Sequence, residues 1–245
     1  YSFTVPVEYP KVGEDPSMCR VGVVNIGNSK TTWMNVPGDA VQHYIPRMEW
    51  ASSNELIIQQ LDRKQQVSKI MLLNAATGAA SLVNEEKDAA WIDIKSRWNN
   101  DDPTGWEWVN GGKDFLWVSE KDGWRHIYLI SKDGKKETLL TKGNYDMIGF
   151  GAIDEANGYV YFTASPDNAL QQYLYRVSLK GGGNAELISP ANQKGTHSYQ
   201  ISPTGQFARH GFSNINTAPS EEWVNLKSSE VIKATAKRGG SSRGE

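Results

Sequence analysis

The sequence has little cysteine, no long apolar run and no strong excess of charge. Cys19 is the single cysteine among 245 residues, so neither an intrachain disulfide nor a multi-cysteine zinc site can form. No stretch approaches the roughly 20 apolar residues that a transmembrane helix needs. The formal net charge of −2 gives no general attraction to nucleic acid. We therefore expect no nucleic-acid partner.

The usual spacings of metal and catalytic sites are also missing. The four histidines are His43, His126, His197 and His210. They show no ligand spacing such as His-x-x-x-His, so we expect no metal and no cofactor. No serine stands in a nucleophile elbow, the sharp strand-to-helix turn that exposes a hydrolase serine. We assign no catalytic residue within this chain.

Aromatic residues are abundant, with nine Trp and ten Tyr, and they favour β-sheets. The stretch Ser119–Ile130 is typical of a β-hairpin, because apolar and aromatic residues flank Asp122-Gly123, a dipeptide that tolerates the positive φ of a tight turn. A second turn at residues 132–135 and a third strand at 137–140 complete an antiparallel meander.

The same pattern of short strands and turns recurs along the chain. Equivalent second-strand positions, 59, 44 and 48 residues apart, are Leu56, Phe115, Tyr159 and Phe207. Periods of about 40–50 residues with four short strands each are typical of β-propeller blades. The sequence therefore predicts an all-β fold, a partial β-propeller of about four blades within residues 1–232. Each blade is a four-stranded antiparallel sheet.

Three segments depart from the repeat. Residues 84–106 lengthen the first spacing and are expected to be an insertion in a blade, which is usually functional or disordered. Residues 233–245 are polar and rich in Gly and Ser, so we expect a flexible tail. The last copy, through residues 202–207 and 223–226, is interpreted as partial, which leaves the circle of blades incomplete.

Two groups of charged residues call for an interpretation. The adjacent acids Asp101-Asp102 and Glu221-Glu222 are interpreted as solvated loop carboxylates. A second group lies in the hairpin stretch and consists of Glu120, Arg125 and His126. We interpret it as a network that stabilises a blade, with His126 a hydrogen-bonded structural residue and not a catalytic one.

The hairpin stretch contains the run Ser119-Glu120-Lys121-Asp122-Gly123-Trp124-Arg125-His126-Ile127-Tyr128. This run closely resembles a characteristic motif of a known family, the N-terminal β-propeller of dipeptidyl peptidase IV-like serine peptidases of the prolyl oligopeptidase superfamily. Further similar segments follow the family's order, and they are Tyr9-Pro10-Lys11-Val12-Gly13, Thr141–Gly149, Tyr159–Ser165 and Leu174–Val177. The resemblance covers roughly residues 7–226.

This resemblance implies the propeller portion of a serine exopeptidase that releases N-terminal dipeptides with Pro or Ala at the second position. In that family the propeller caps an α/β-hydrolase domain of the same chain, which carries Ser, Asp and His. A pair of glutamates holds the free N-terminus of the peptide substrate. Because no residue here matches those positions, we expect a structural, substrate-gating fragment that is inactive alone. The parent protein is expected to be periplasmic or secreted, or anchored to a membrane.

One substrate-facing element of the family has a counterpart here. In the family, the loop after a Trp that corresponds to Trp91 projects toward the active site with an aromatic residue and an arginine. Here that loop spans residues 92–106 and holds Arg97 and Trp98, in a sequence that departs from the family's pair. We predict that Arg97 and Trp98 line the substrate side of the intact enzyme; the alternative is a solvated loop.

A rival interpretation is a stand-alone propeller that binds protein partners through its loops. An open arc of blades also leaves faces or edges unpaired. We therefore expect self-association, with a homodimer as the simplest form, or marginal solubility.

Overall fold

A computed structural model describes residues 2–7, 11–94 and 106–234. Within these ranges the chain forms eighteen β-strands and no helix, so no helix there is long and apolar enough to cross a membrane. The chain divides into two compact units, Tyr1–Asp93 and Ile94–Glu245.

The first unit holds a two-stranded hairpin and one four-stranded sheet. The hairpin pairs β1 (Gly22–Asn25) with β2 (Lys30–Trp33). The sheet consists of β3 (His43–Ser52), β4 (Glu55–Asp62), β5 (Val67–Asn74) and β6 (Ala80–Lys87). Each strand pairs antiparallel with its neighbour in sequence, which is the arrangement of a propeller blade.

The second unit holds three more antiparallel meanders of four strands each. Their strands are β7 (Glu107–Val109), β8 (Asp114–Ser119), β9 (His126–Ser131) and β10 (Glu137–Leu139), then β11 (Met147–Asp154), β12 (Tyr159–Ala164), β13 (Tyr173–Ser178) and β14 (Glu186–Leu187), then β15 (Thr196–Ile201), β16 (Phe207–Asn214), β17 (Thr217–Asn225) and β18 (Glu230–Ala234). Four four-stranded sheets confirm the predicted partial propeller of about four blades.

The predicted repeat positions all fall on the second strand of a sheet. Leu56 lies on β4, Phe115 on β8, Tyr159 on β12 and Phe207 on β16. The spacing of these residues therefore reports the blade period, and the longest spacing contains the segment between β6 and β7.

A continuous apolar run explains the burial of β4 in the first unit. Ile57 and Ile58 are adjacent and both fully buried, so both faces of this strand are covered. Ile58 and Leu73 pack against Val21 and Met34, which flank the hairpin strands. Burial of each such aliphatic side chain stabilises the fold by about 1.5–3 kcal/mol.

Packing between successive sheets builds the core of the second unit. Phe162 of β12 lies in one apolar cluster with Val118 and Ile127 of the preceding sheet. Its neighbour Tyr161 lies in a second cluster with Ala208 of the following sheet. Since adjacent residues of a strand point to opposite faces, the middle sheet is covered on both sides, as a blade must be.

The last copy of the repeat is a complete sheet, and the prediction of a partial copy was wrong. Strands β15 to β18 form a full four-stranded meander. The sequence signal is weak because His197 and His210, which are 0% and 1% exposed, occupy core positions where apolar residues are expected.

The predicted insertion begins later than residue 84, because β6 continues through Lys87. Glu86 is buried, and the Glu85 carboxylate lies 3.6 Å from Lys69 Nζ and 2.8 Å from Lys87 Nζ. Charged side chains that pair with each other replace the apolar alternation by which strands are recognised. The sequence of this end of β6 therefore resembles that of a loop.

At the carboxyl end, β18 includes Lys233 and Ala234, the first two residues of the predicted tail. The rest of that tail, residues 235–245, lies outside the described residues.

The hairpin predicted at Ser119–Ile130 is present, with a wider turn than a two-residue loop. Ser119 pairs with His126, so residues 120–125 form the connection. Gly123 has φ +94°, and its N–H donates to Glu120 O at 2.9 Å. Asp122-Gly123 therefore supplies the predicted positive φ, but within a longer loop.

Candidate functional site

The predicted substrate-facing residues Arg97 and Trp98 lie outside the described residues, and their role remains a prediction. Both ends of the segment that carries them are described. Residues 88–94 lead into it, with Asp93 the last residue of the first unit, and Trp106 follows it in the second unit.

The first end of this segment leaves β6 in a hydrogen-bonded turn. Asp88 Oδ1 accepts from the backbone N–H of Ala90 (2.7 Å) and of Trp91 (3.1 Å). These two bonds hold the pKa of the Asp88 carboxyl below its usual value. The side-chain amide of Gln66 donates to Ala89 O at 2.7 Å, so the turn between β4 and β5 also holds this end.

Ile92 is attached to the same turn by a reciprocal pair of hydrogen bonds. Its N–H donates to Gln65 O at 2.6 Å, and the Gln65 side-chain amide donates back to Ile92 O at 3.1 Å. Gln65 has φ +52°, a left-handed conformation that residues other than glycine rarely adopt. Ile92 is buried, whereas Trp91 is 58% exposed. The point at which the segment leaves the sheet is therefore fixed.

The second end of the segment is held by aromatic packing. Trp106 is 3% exposed, and its ring stacks on Trp117 of β8 with a centroid distance of 6.0 Å and an interplanar angle of 20°. Two residues later, Trp108 packs edge-on against Phe115 at 5.4 Å. Aromatic pairs of this kind contribute about 0.5–1.5 kcal/mol beyond the area they bury.

A chain of hydrogen bonds with two buried histidines at its centre crosses the last sheet. His197 Nε2 lies 2.8 Å from Gln193 O, and His197 Nδ1 lies 2.8 Å from His210 Nε2. His210 Nδ1 lies 2.9 Å from Glu222 Oε1. The two imidazole rings stack with centroids 5.0 Å apart. We call Gln193, His197, His210 and Glu222 the histidine relay.

The geometry determines where the protons of the histidine relay lie. A backbone carbonyl only accepts, so His197 Nε2 carries a proton and Nδ1 of the neutral ring accepts. His210 Nε2 must then donate to it, which leaves one proton between His210 Nδ1 and Glu222. Burial lowers the pKa of His197, although its bond to Gln193 O opposes this, and the neutral ring agrees with that direction.

Aromatic rings pack against both histidines of the relay. Tyr173 and Phe212 pack on His197, with centroids 5.1 and 4.9 Å from it, and Tyr199 stacks on His210 at 4.5 Å. Burial raises the pKa of Tyr199 to about 12. In residues 2–7, 11–94 and 106–234, no three His, Cys, Asp or Glu side chains are grouped to hold a metal ion. The buried, hydrogen-bonded histidines are suited to stabilising the blade.

The sequence analysis did not predict the histidine relay, and its placement of Glu222 in a loop was wrong. Glu221 and Glu222 lie on β17 and not in a loop, with Glu222 directly opposite His210 in the strand register. Glu221 instead lies 3.5 Å from Arg209. The pairing depends on the turn at residues 215–216 and on a register irregularity after Phe212. Neither has a clear sequence signal.

The hairpin stretch contains a second buried histidine. His126 is 1% exposed, and its Nδ1 lies 2.8 Å from Asp122 Oδ2. Burial of Asp122 is the largest single effect and opposes its ionisation, but the hydrogen bonds from His126, the Trp124 N–H and Tyr128, together with the charge of His126, lower the carboxyl pKa. Arg125 contributes through its backbone N–H, which donates to Asp146 Oδ1 at 2.7 Å. His126 is thus a hydrogen-bonded blade residue, with Asp122 as its partner.

A comparison with protein families identifies the chain. The model of the dipeptidyl peptidase IV (DPP IV) N-terminal region matches residues 1–219. The chain belongs to this family. The resemblance first noted in the hairpin stretch is therefore confirmed over most of the sequence.

Curated relatives of this DPP IV N-terminal region include a protein named as a dipeptidyl peptidase and a protein named as an inactive one. The chain is 29% identical over 192 residues to inactive dipeptidyl peptidase 10 of Mus musculus, and the matched region covers 74% of the chain and 23% of that protein. It is 26% identical over 187 residues to dipeptidyl peptidase 4 of Trichophyton equinum, and that match covers 73% of the chain and 23% of the relative. The chain thus spans about a quarter of the length of these relatives.

Solved structures agree on the fold. The crystal structure of Porphyromonas gingivalis dipeptidyl peptidase 4 matches 95% of the chain and 31% of its own chain, with a TM-score of 0.77 and 24% identity. A putative dipeptidyl aminopeptidase IV from Bacteroides ovatus matches 94% of the chain and 34% of its own, with a TM-score of 0.74 and 20% identity. Both confirm the all-β, partial-propeller architecture.

Proposed function

We propose that this DPP IV N-terminal region is the structural, substrate-gating propeller portion of a serine exopeptidase. That enzyme releases N-terminal dipeptides with Pro or Ala at the second position. The observation that carries the proposal is the family match over residues 1–219, in a chain that spans about a quarter of the length of its curated relatives. The part of those relatives that this chain does not match is long enough for a catalytic domain.

The partner of the propeller is an α/β-hydrolase domain of the same polypeptide. A serine activated by His and Asp attacks the scissile carbonyl there, and backbone N–H groups stabilise the oxyanion. The propeller contributes walls and loops that admit and orient the peptide. The two histidines of the histidine relay are buried against aromatic rings, which supports a structural role for them and no turnover by the propeller alone.

The gating element is the segment after Trp91. Its first end is fixed by Asp88 and by the Gln65–Ile92 hydrogen bonds, and its second end by the Trp106–Trp117 stack. The segment carries Arg97 and Trp98, which offer a peptide a cation with several N–H donors and an apolar, stacking surface.

Paired substitutions test this role in the full-length protein. Arg97→Ala with Trp98→Ala should raise KM for tetrapeptides and longer peptides by roughly 3- to 10-fold, the size of one or two lost contacts. A matched control is Arg20→Ala with Trp33→Ala, an exposed pair in which the guanidinium lies 4.2 Å from the ring. Unchanged KM in the first variant would refute the gating role.

The parent protein is periplasmic or secreted, or anchored to a membrane, and this chain by itself associates into a homodimer. The family resemblance supports the first statement, and the expected unpaired edges of an open arc of blades support the second. Cell fractionation of the full-length protein tests the first, and a sizing measurement on this chain tests the second. Retention in the cytoplasm would refute the first, and a monomer at high concentration would refute the second.

A second candidate function is a stand-alone propeller that binds protein partners. The similarity to inactive dipeptidyl peptidase 10, a relative whose name denies peptidase activity, favours the binding role but not the stand-alone form, because the match covers 23% of that protein. The native coding sequence beyond Leu226 separates the two candidates. A Gly-x-Ser-x-Gly segment within a strand–turn–helix pattern supports the peptidase, and an early stop codon supports the binding module.

A further inference from the structure

Two turns in the second unit carry the dipeptide Asn-Gly. Asn110-Gly111 follows β7, and Asn157-Gly158 lies between β11 and β12. Asparagine before glycine is prone to deamidation, because glycine has no Cβ to keep its backbone nitrogen away from the side-chain carbon of the asparagine. Each dipeptide is therefore a candidate site of spontaneous covalent modification.

The two asparagine side chains are held in much the same way. Asn110 Nδ2 donates to Asp114 Oδ2 at 2.6 Å, and Asn157 Nδ2 donates to Asp154 Oδ2, also at 2.6 Å. The backbone N–H of each asparagine donates to a carboxylate as well, at 2.8 Å for Asn110 and 3.1 Å for Asn157. Both asparagines are exposed. One extra contact restrains Asn157, because Lys227 Nζ donates to its Oδ1 at 3.3 Å.

The backbone nitrogens of the two glycines differ in their hydrogen bonding. Gly158 N–H donates to Glu155 O at 3.2 Å. Gly111 N–H has no acceptor within residues 2–7, 11–94 and 106–234. The two glycines otherwise share a left-handed conformation, with φ +74° for Gly158 and +65° for Gly111. Since the attacking nitrogen must lose its proton, the hydrogen bond of Gly158 has to break before reaction, and Gly111 carries no such cost.

Access of water does not distinguish the two dipeptides. One cavity of about 320 Å³ is lined by both Asn110 and Gly158. A polar cavity of this size admits the water that the reaction consumes. The difference between the two sites therefore lies in the free N–H of Gly111 and in the contact that Lys227 makes with Asn157.

We propose that Asn110 is a site of spontaneous deamidation in the folded protein and that Asn157 is protected. The Gly111 nitrogen attacks Asn110 Cγ, its proton passes to a base in solvent, and the side-chain nitrogen takes up a proton and leaves as ammonia. The resulting cyclic imide then adds one water molecule at either of its carbonyl carbons. Opening of the ring yields aspartate or isoaspartate, without any change in oxidation state.

The product alters a contact between two neighbouring sheets. Asn110 Nδ2 is the donor to Asp114, so an aspartate at position 110 places two carboxylates where a donor and an acceptor were. The Asn110 N–H donates to Glu155 Oε1, which joins the turn after β7 to the turn after β11. Isoaspartate adds one methylene group to the main chain at this point. Deamidation should therefore weaken the attachment of the two turns.

Peptide mapping by mass spectrometry, after incubation of the chain in mildly alkaline buffer, measures deamidation at both positions. In the folded chain, Asn110 should react roughly tenfold faster than Asn157, the effect of one hydrogen bond that must break first. The control is the same chain unfolded in guanidinium chloride, where the two Asn-Gly dipeptides should react at closely similar rates.

A matched pair of variants measures the consequence. Asn110→Asp reproduces one product and should lower the thermal unfolding midpoint by roughly 2–4 °C. Asn28→Asp should leave the midpoint unchanged, because the Asn28 side-chain oxygen accepts from Lys30 N–H in an exposed turn and an aspartate accepts in the same way.

Three results would overturn the proposal: equal rates at the two positions in the folded chain, a faster reaction at Asn157, or a difference of the same size in the unfolded chain. An unchanged midpoint in Asn110→Asp would refute the weakened contact. None of these measurements involves a peptidase substrate, so their outcome is independent of the proposed function.

Discussion

His197 Nδ1 lies 2.8 Å from His210 Nε2, with the two rings within 5° of parallel. The bond to Gln193 O makes His197 an acceptor toward His210, so His210 needs a partner at its other nitrogen that shares one proton. Glu222 is that partner, at 2.9 Å. The stability of the last blade should therefore depend on this single carboxylate.

Glu222→Ala should lower the free energy of unfolding by about 1–3 kcal/mol, because it leaves His210 Nδ1 buried without a partner. Glu222→Gln should cost less, since the amide can donate to a neutral His210 and keep every hydrogen bond of the relay. Urea unfolding measures both. The control Glu221→Ala, next along β17 in an exposed ion pair, should change stability by no more than about 0.5 kcal/mol. Equal losses in the alanine variants would contradict the relay.

Stability should fall in mildly acidic solution because burial lowers the pKa of both His197 and His43. Below the unfolded-state value of about 6.5, the unfolded chain binds more protons than the folded chain. The thermal unfolding midpoint should therefore be level above this pH and decrease as pH falls toward the folded-state pKa values. His197→Gln should reduce the slope. A midpoint that rises on acidification through this range would contradict the assignment of neutral rings.

At the two described ends of the segment after Trp91, Trp106 should matter more to stability than Trp91. Trp106→Ala removes a ring that is 3% exposed and stacked on Trp117, which should cost about 3–5 kcal/mol. Trp91→Ala removes a ring that is 58% exposed and should change stability by about 0.5 kcal/mol or less. Chemical denaturation of the two variants provides the comparison, and similar losses would show that Trp106 does not anchor the segment.

Alanine substitutions at two glycines with similar φ distinguish the cost of a steric collision from the cost of the left-handed backbone conformation itself. Gly78 has φ +75° and Gly182 has φ +78°. A Cβ on Gly78 would collide with the backbone oxygen of Trp33, whereas a Cβ on Gly182 meets nothing within 4 Å. Gly182→Ala should cost about 1–2 kcal/mol for the left-handed conformation alone. Gly78→Ala should lower the free energy of unfolding by clearly more. Equal losses in the two variants would mean that the backbone of β2 moves away from the added methyl group at little cost.

The blade period was predictable because it depends on local signals. Turn residues such as Asp122-Gly123 and apolar runs such as Ile57-Ile58 recur at intervals set by the number and length of strands in a blade. Those signals do not depend on which distant residues meet. They located the second strand of every four-stranded sheet.

The histidine relay was not predictable because it depends on which side chains of neighbouring strands lie opposite each other. Whether Glu222 lies opposite His210 depends on the register of β16 and β17, and a shift of one residue would turn either side chain to the other face. The same holds for His43, whose tautomer depends on Gln60 and Pro37, residues that the fold brings together. Polar side chains in buried positions also weakened the strand signal that marks the last blade.

The proposed gating role requires that the peptidase chemistry lies in another domain of the same protein. Hydrolysis of a Gly-Pro amide substrate, measured side by side for this chain and for the full-length protein, tests this requirement. We expect release of the Gly-Pro dipeptide by the full-length protein and none by the chain alone. Turnover by the chain alone, or no turnover by a correctly folded full-length protein, would contradict it.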